Sequence, residues 1–176
     1  MSVKEYGRVR VNLNGRTRII VTRQGRIMDF VKEIHYKGFT TKQPLYIGML
    51  EHDLTEYAKS KGIEIASSRM YMTGKKTGHT VRDLHQERGI DISDEQLATF
   101  PGRRRKMAVY HDSEDDSFVY FDGQAKYVFR TNYQIKKKGL DNKRIKMKVV
   151  GLITAYKAKA SDFNHRNYTL IRNPTE

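Results

Sequence analysis

Lys143-Arg144-Ile145-Lys146-Met147-Lys148-Val149-Val150-Gly151-Leu152-Ile153-Thr154-Ala155-Tyr156 decides the fold class. In its first half Ile145, Met147 and Val149 alternate with Arg144, Lys146 and Lys148. Period-2 alternation puts apolar side chains on one face of a strand and cations on the other, about 7 Å apart along it. A strand this long needs partners, and turn signals flank it. Gly139-Leu140-Asp141-Asn142 precedes it, and Lys126–Thr131 before that is β-prone.

Further upstream, Met107–His111 and Ser117–Phe121 bracket an acidic knot, Asp112, Glu114, Asp115 and Asp116, and read as a hairpin with that knot at its tip. Asp122-Gly123 is the next turn, and Tyr168–Arg172 is a last strand. At the other end of the chain Val9, Val11 and Leu13 alternate with Arg8, Arg10 and Asn12. Asn14-Gly15 then suits a type I′ turn, whose two central residues need positive φ. Residues 8–22 therefore read as a β-hairpin.

Between these β regions the pattern is helical. Ile27, Phe30, Val31 and Ile34 have helical spacing in a short, ambiguous segment. Thr41 reads as the N-cap of a helix with Ile47, Leu50, Leu54 and Tyr57 inward and Gly62 as its stop. Ile63 and Ile65 read as a short strand-like return, and Ser67–Gly78 as a polar loop. Thr80 caps a short helix with Val81, Leu84 and His85 inward. Ser93 and Gln96 form a capping box for one helical turn, broken at Phe100-Pro101-Gly102. The expected fold is α+β: an N-terminal β-hairpin, central helices and a β-rich C-terminal half forming an antiparallel sheet. Residues 1–100 and 101–176 are its two parts, expected to form one structural unit.

The chain has 176 residues, with 34 Lys and Arg against 20 Asp and Glu, a net charge of +14. The excess is concentrated after Pro101, in Arg103-Arg104-Arg105-Lys106, Lys136-Lys137-Lys138, and Arg144, Lys146 and Lys148. Polyanions, nucleic acid or an acidic protein surface, are the natural partners of such a chain. The acidic knot is an alternative partner, a complementary patch for the basic patch of a neighbouring copy, as in a ring. No Cys is present, which excludes disulfides and thiolate metal sites. No apolar run reaches the roughly 18 residues of a membrane span, and the charged start carries no secretory apolar stretch. A soluble cytosolic protein, or one assembled in the cytosol, is expected.

Catalytic constellations are not evident in the spacing. His79 and His85 are six apart, His52 neighbours Asp53, and no His-x-x-x-His pair occurs. There is no Gly-x-Ser-x-Gly elbow. Gly74-Lys75-Lys76-Thr77-Gly78 lacks the phosphate-loop spacing and reads as a flexible basic loop. Asp162–Asn167 bears only a faint likeness to the end of an HNH nuclease motif. The expectation is a protein without catalytic residues, cofactor or metal. Tyr127, Phe129, Tyr133 and Tyr156 lie in strands near the basic stripe, as stacking residues do in single-strand-binding sheets.

Gly38-Phe39-Thr40-Thr41-Lys42-Gln43-Pro44-Leu45, followed by Leu50-Glu51, resembles a pattern of small structural proteins of tailed bacteriophages. In that pattern a Phe-x-Thr turn enters a helix, usually with Asp before the Pro, where this chain has Lys42 and Gln43. The resemblance covers roughly 15 residues. It implies a virion component, capsid-associated or in the head–tail connector, assembled in the host cytoplasm as an oligomer or ring with capsid or portal partners. A monomeric nucleic-acid-binding protein is the alternative reading, and a nuclease with a scattered active site is a third.

Overall fold

The computed structural model describes residues 7–38, 40, 43–81 and 84–175. Two strands, β1 (Arg8–Leu13) and β2 (Arg16–Val21), form a separate two-stranded sheet. Asn14 and Gly15 join them with φ of 52° and 76°, the positive pair that the Asn-Gly turn requires. The ambiguous segment is a helix, α1 (Arg23–Lys37), and it buries Ile27, Phe30, Val31 and Ile34. Thr22 caps it by accepting from the Gly25 N–H, and Gly38 closes it at φ 83°, donating its N–H to the Ile34 carbonyl.

The helix expected from Thr41 to Gly62 starts later. Leu45–Met49 is a strand, β3, and α2 runs only from His52 to Ser60. Ile47, Leu50 and Leu54 are all buried in one core, so strand, loop and helix together imitate a single helical stripe. Thr41, with Phe39 and Lys42, lies outside the described residues. The strand-like return at Ile63 and Ile65 is absent; both pack from a loop against the core. The polar segment after Ser67 is ordered as β4 (Arg69–Met72) and α3 (Gly74–Val81), so the basic Gly-bearing stretch is helical rather than a flexible loop. A four-residue helix, α4 (Leu84–Glu87), follows and buries His85. The side chains of Val81 and Leu84 lie outside the described ones.

The capping box at Ser93 opens α5 (Asp94–Arg103), which is longer than one turn. Pro101 sits inside it, two residues before its end; it has no N–H for the Leu97 carbonyl, and Leu97, Ala98, Phe100 and Pro101 are all buried. Then come β5 (Ala108–Asp112), β6 (Ser117–Phe121), β7 (Ala125–Lys138), β8 (Arg144–Lys157) and β9 (Tyr168–Arg172). With β3 and β4 they make a seven-stranded sheet in the order β3-β4-β8-β7-β6-β5-β9. Among the described residues only the β4–β8 pair is parallel. The fold is α+β as the residue pattern implied.

One face of the sheet, with Phe118, Tyr120, Tyr127, Phe129, Val150 and Leu152, packs on α1, α2 and α5. The other carries two smaller clusters, around Phe163 and around Tyr71. No helix among the described residues is long and apolar enough to cross a membrane.

Candidate nucleic-acid interface

β7 and β8 are 14 residues each, longer than the other strands. Their pairing shifts between Arg130 and Tyr133, where Asn132 takes φ 56°. A bulge of this kind bends a ribbon and sharpens its twist. The Asn132 side chain clamps it, accepting from the Ala66 N–H at 2.8 Å and donating to the Glu64 carbonyl at 2.6 Å. Beyond this clamp the two strands continue as a ribbon to an exposed tip, where Leu140 is fully open to solvent.

The register on that ribbon sets Gln134 opposite Lys148, Lys136 opposite Lys146, and Lys138 opposite Arg144. Directly opposed residues of an antiparallel pair share a face. Lys136, Lys138, Arg144, Lys146 and Lys148 therefore form one exposed basic face. Lys148 is two residues from the buried core residue Val150, so this face continues the helix-covered side of the sheet. Lys137 points the other way, its ammonium 5.6 Å from the centre of the Tyr71 ring. The apolar face expected from Ile145, Met147 and Val149 is buried only at Val149; Ile145, near the tip, is 53% exposed.

The other predicted residues are placed differently. Arg105 and Lys106 are exposed. Arg103 turns inward to Asp122 at 2.9 Å, the Tyr127 hydroxyl at 3.2 Å and the Gln96 carbonyl. Arg104 is 5% exposed. It donates to the carbonyls of Pro101 and Met49 and faces Glu51 at 3.4 Å. Arg172 also approaches Glu51, and the Tyr120 hydroxyl donates to it at 2.5 Å. Burial, then Glu51, pushes the Tyr120 hydroxyl well above its ordinary pKa. Arg103 and Arg104 thus hold the fold together, and the structure does not bring them to the ribbon face.

The acidic knot is largely engaged with its own neighbours. Asp112 accepts from the Glu114 N–H, Asp115 pairs with Arg130 at 3.0 Å, and Asp116 pairs with His111 at 2.9 Å. Burial alone would raise the Asp115 carboxyl, but Ser117 and Arg130 outweigh it and hold it below its usual range. The aromatics do not line the basic ribbon either. Tyr127 and Phe129 are in the helix-side core, and Tyr133 stands on the opposite side of the ribbon beside Ile135.

A second cluster sits elsewhere on the sheet. His85 is 8% exposed; its Nδ1 lies 3.1 Å from the Thr80 carbonyl, so Nδ1 carries a proton and Nε2 faces the Thr154 hydroxyl at 3.5 Å. Tyr156 lies edge-on to the imidazole at 5.3 Å. Across the strand pair from Tyr156 is Lys126, 9% exposed, with its ammonium 4.6 Å from the Tyr156 ring and 3.4 Å from the Tyr168 hydroxyl. Burial lowers a lysine pKa, but Tyr156 and Tyr168 more than offset it and keep Lys126 above its ordinary value. Lys126 was visible in the sequence as a charge inside an apolar strand, Ala125–Phe129, although nothing in the spacing connects it to His85, 41 positions earlier. Comparison with family models, curated proteins and solved structures found no match to this chain.

Proposed function

We propose that the chain binds nucleic acid through the ribbon face of Lys136, Lys138, Arg144, Lys146 and Lys148. The observation that carries this is the register. Lys136 opposes Lys146 and Lys138 opposes Arg144, and like charges directly opposite destabilise a strand pair. A ribbon built this way gives up its own stability to concentrate charge, and a phosphate backbone relieves that repulsion. This surface binds; it needs no catalytic group. In the setting implied by the resemblance to tailed-phage structural proteins, it would face packaged DNA within a virion, or an acidic capsid or portal surface. Fluorescence anisotropy with labelled single-stranded and duplex oligonucleotides over a salt series tests it. Affinity should fall linearly in log–log form as salt rises. Absence of binding at low salt refutes the reading.

A second reading is favoured by one observation, the convergence of His85, Thr154, Tyr156 and Lys126. An imidazole with an oriented Nε2 is a general base, and a desolvated ammonium stabilises a developing anion. Imidazole, ammonium and hydroxyls suit a substrate that carries its own nucleophile, as an RNA strand does in its 2′-hydroxyl. Cleavage of RNA that persists in a chelator and is lost in His85→Ala, with folding intact, would establish this reading. Intact RNA in the wild-type incubation refutes it.

A further inference from the structure

Among the described residues the β1–β2 hairpin has no hydrogen-bonded place in the main sheet, and its base is tied to the start of α1. There the Thr22 N–H and hydroxyl both donate to the Gly7 carbonyl, at 2.7 and 2.8 Å. A Cβ on Gly7 would lie 2.3 Å from the Gly25 backbone, so two glycines let the hairpin seat against the start of α1. From Arg8 to Ile20 the strands are exposed on both faces apart from a half-buried Val11. Val9, Leu13, Ile19 and Ile20 are 47–55% exposed. A lone two-stranded ribbon is marginal in water, and exposed apolar side chains add to that cost.

Its charge is one-sided in sign but not in space. Residues 7–28 contain six Arg and no Asp or Glu. The register puts Arg8 and Arg10 on one face, opposite Val21 and Ile19, and Arg16 and Arg18 on the other, opposite Leu13 and Val11. A flat acidic protein surface would engage one face and leave the other charged in water. The acidic knot of a second copy is a poor fit too, because Asp112, Asp115 and Asp116 already have partners within the chain. A groove with an anionic wall on each side engages both faces at once. A ribbon is about 10 Å thick through its side chains, and the B-form major groove is about 12 Å wide. Arg forks suit phosphate oxygens and guanine edges, and Val, Leu and Ile suit thymine methyls.

We infer that this hairpin is an arm that inserts into the major groove of duplex DNA, an inference that rests on the nucleic-acid reading above. The test compares the full chain with Arg10→Gln/Arg16→Gln/Arg18→Gln, using a short DNA duplex, its single strand and the matching RNA duplex. The RNA helix is the control because its major groove is too deep and narrow for side chains to read. Wild type should prefer the DNA duplex over both. The variant should lose that preference and about 3 from its log–log salt slope on the DNA duplex, with an unchanged melting temperature. Wild type binding all three equally, or a variant keeping both slope and preference, overturns the arm while leaving the ribbon face standing. Conversion of a wild-type dimer to a monomer by the variant overturns it too, and assigns the hairpin to a second copy. Wild type that binds none of the three overturns the nucleic-acid reading itself, and the arm with it.

Discussion

Replacing Arg144, Lys146 and Lys148 together with Gln tests the register argument most directly. All three are exposed, so each change should cost no more than about 0.5 kcal/mol of stability. Gln removes charge without adding repulsion, so the readout reports lost contacts alone. If each cation neutralises one phosphate of a duplex, the log–log salt slope falls by about 2.7. The same relation makes the wild-type to variant affinity ratio about 500 at 0.1 M salt and about 25 at 0.3 M. Anisotropy titrations at those two concentrations measure it. Lys137→Gln is the internal control, because Lys137 stands over Tyr71 on the other face and should change the slope by well under one contact. A triple variant with the wild-type slope, or an effect of Lys137→Gln as large as one-third of the triple's, refutes the assignment of a single basic face.

Three further outcomes follow from the geometry. Glu51→Ala takes from the buried Arg104 the carboxylate it faces, while Arg172 keeps Asp53, and breaking a buried pair costs about 3–5 kcal/mol. For a chain of this size that is a melting-temperature drop of about 6–20 °C, and a drop under about 3 °C in calorimetry would show the network to be dispensable. Tyr120 has a raised folded pKa, so its contribution is present below the unfolded value near 10 and is lost as pH rises above it. Denaturation at stepped alkaline pH should therefore show wild-type stability falling up to about 1.4 kcal/mol per pH unit faster than that of Tyr120→Phe, and parallel profiles would contradict the shift. Gly15→Val should cost the hairpin about 1–3 kcal/mol through its positive φ alone, since a Cβ there meets nothing within 4 Å. Faster amide exchange confined to residues 8–21 is the expected sign, and unchanged exchange would mean that the turn contributes nothing.

The sheet was legible where a strand or turn carries its own local signal. Alternation across Arg144–Val149, the Asn14-Gly15 turn and the acidic tip between β5 and β6 each carry a local signal that the fold keeps. Legibility failed where residues from different elements converge on one core. Ile47 belongs to a strand, Leu50 to a loop and Leu54 to a helix, yet all three are buried together, so their spacing mimicked one amphipathic helix. Pro101 misled for a related reason. It has no N–H for the Leu97 carbonyl, yet burial of Leu97, Ala98 and Phe100 holds the helix on to Arg103.

The basic runs show why charge in a sequence is not yet a surface. Arg103-Arg104-Arg105-Lys106 looks like the densest patch, but two of its four cations turn inward to Asp122 and Glu51. Lys136-Lys137-Lys138 looks like one cluster, but strand geometry sends the middle lysine to the opposite face. Only the pairing of β7 with β8 selects Lys136 and Lys138 and sets them against Lys146 and Arg144. That selection depends on the bulge at Asn132. A β7 slipped by one residue would bring Lys137 to the basic side and turn Lys136 and Lys138 away from it. The Asn132 clamp on Glu64 and Ala66 therefore fixes more than a bend: it holds the one register in which five cations share a face.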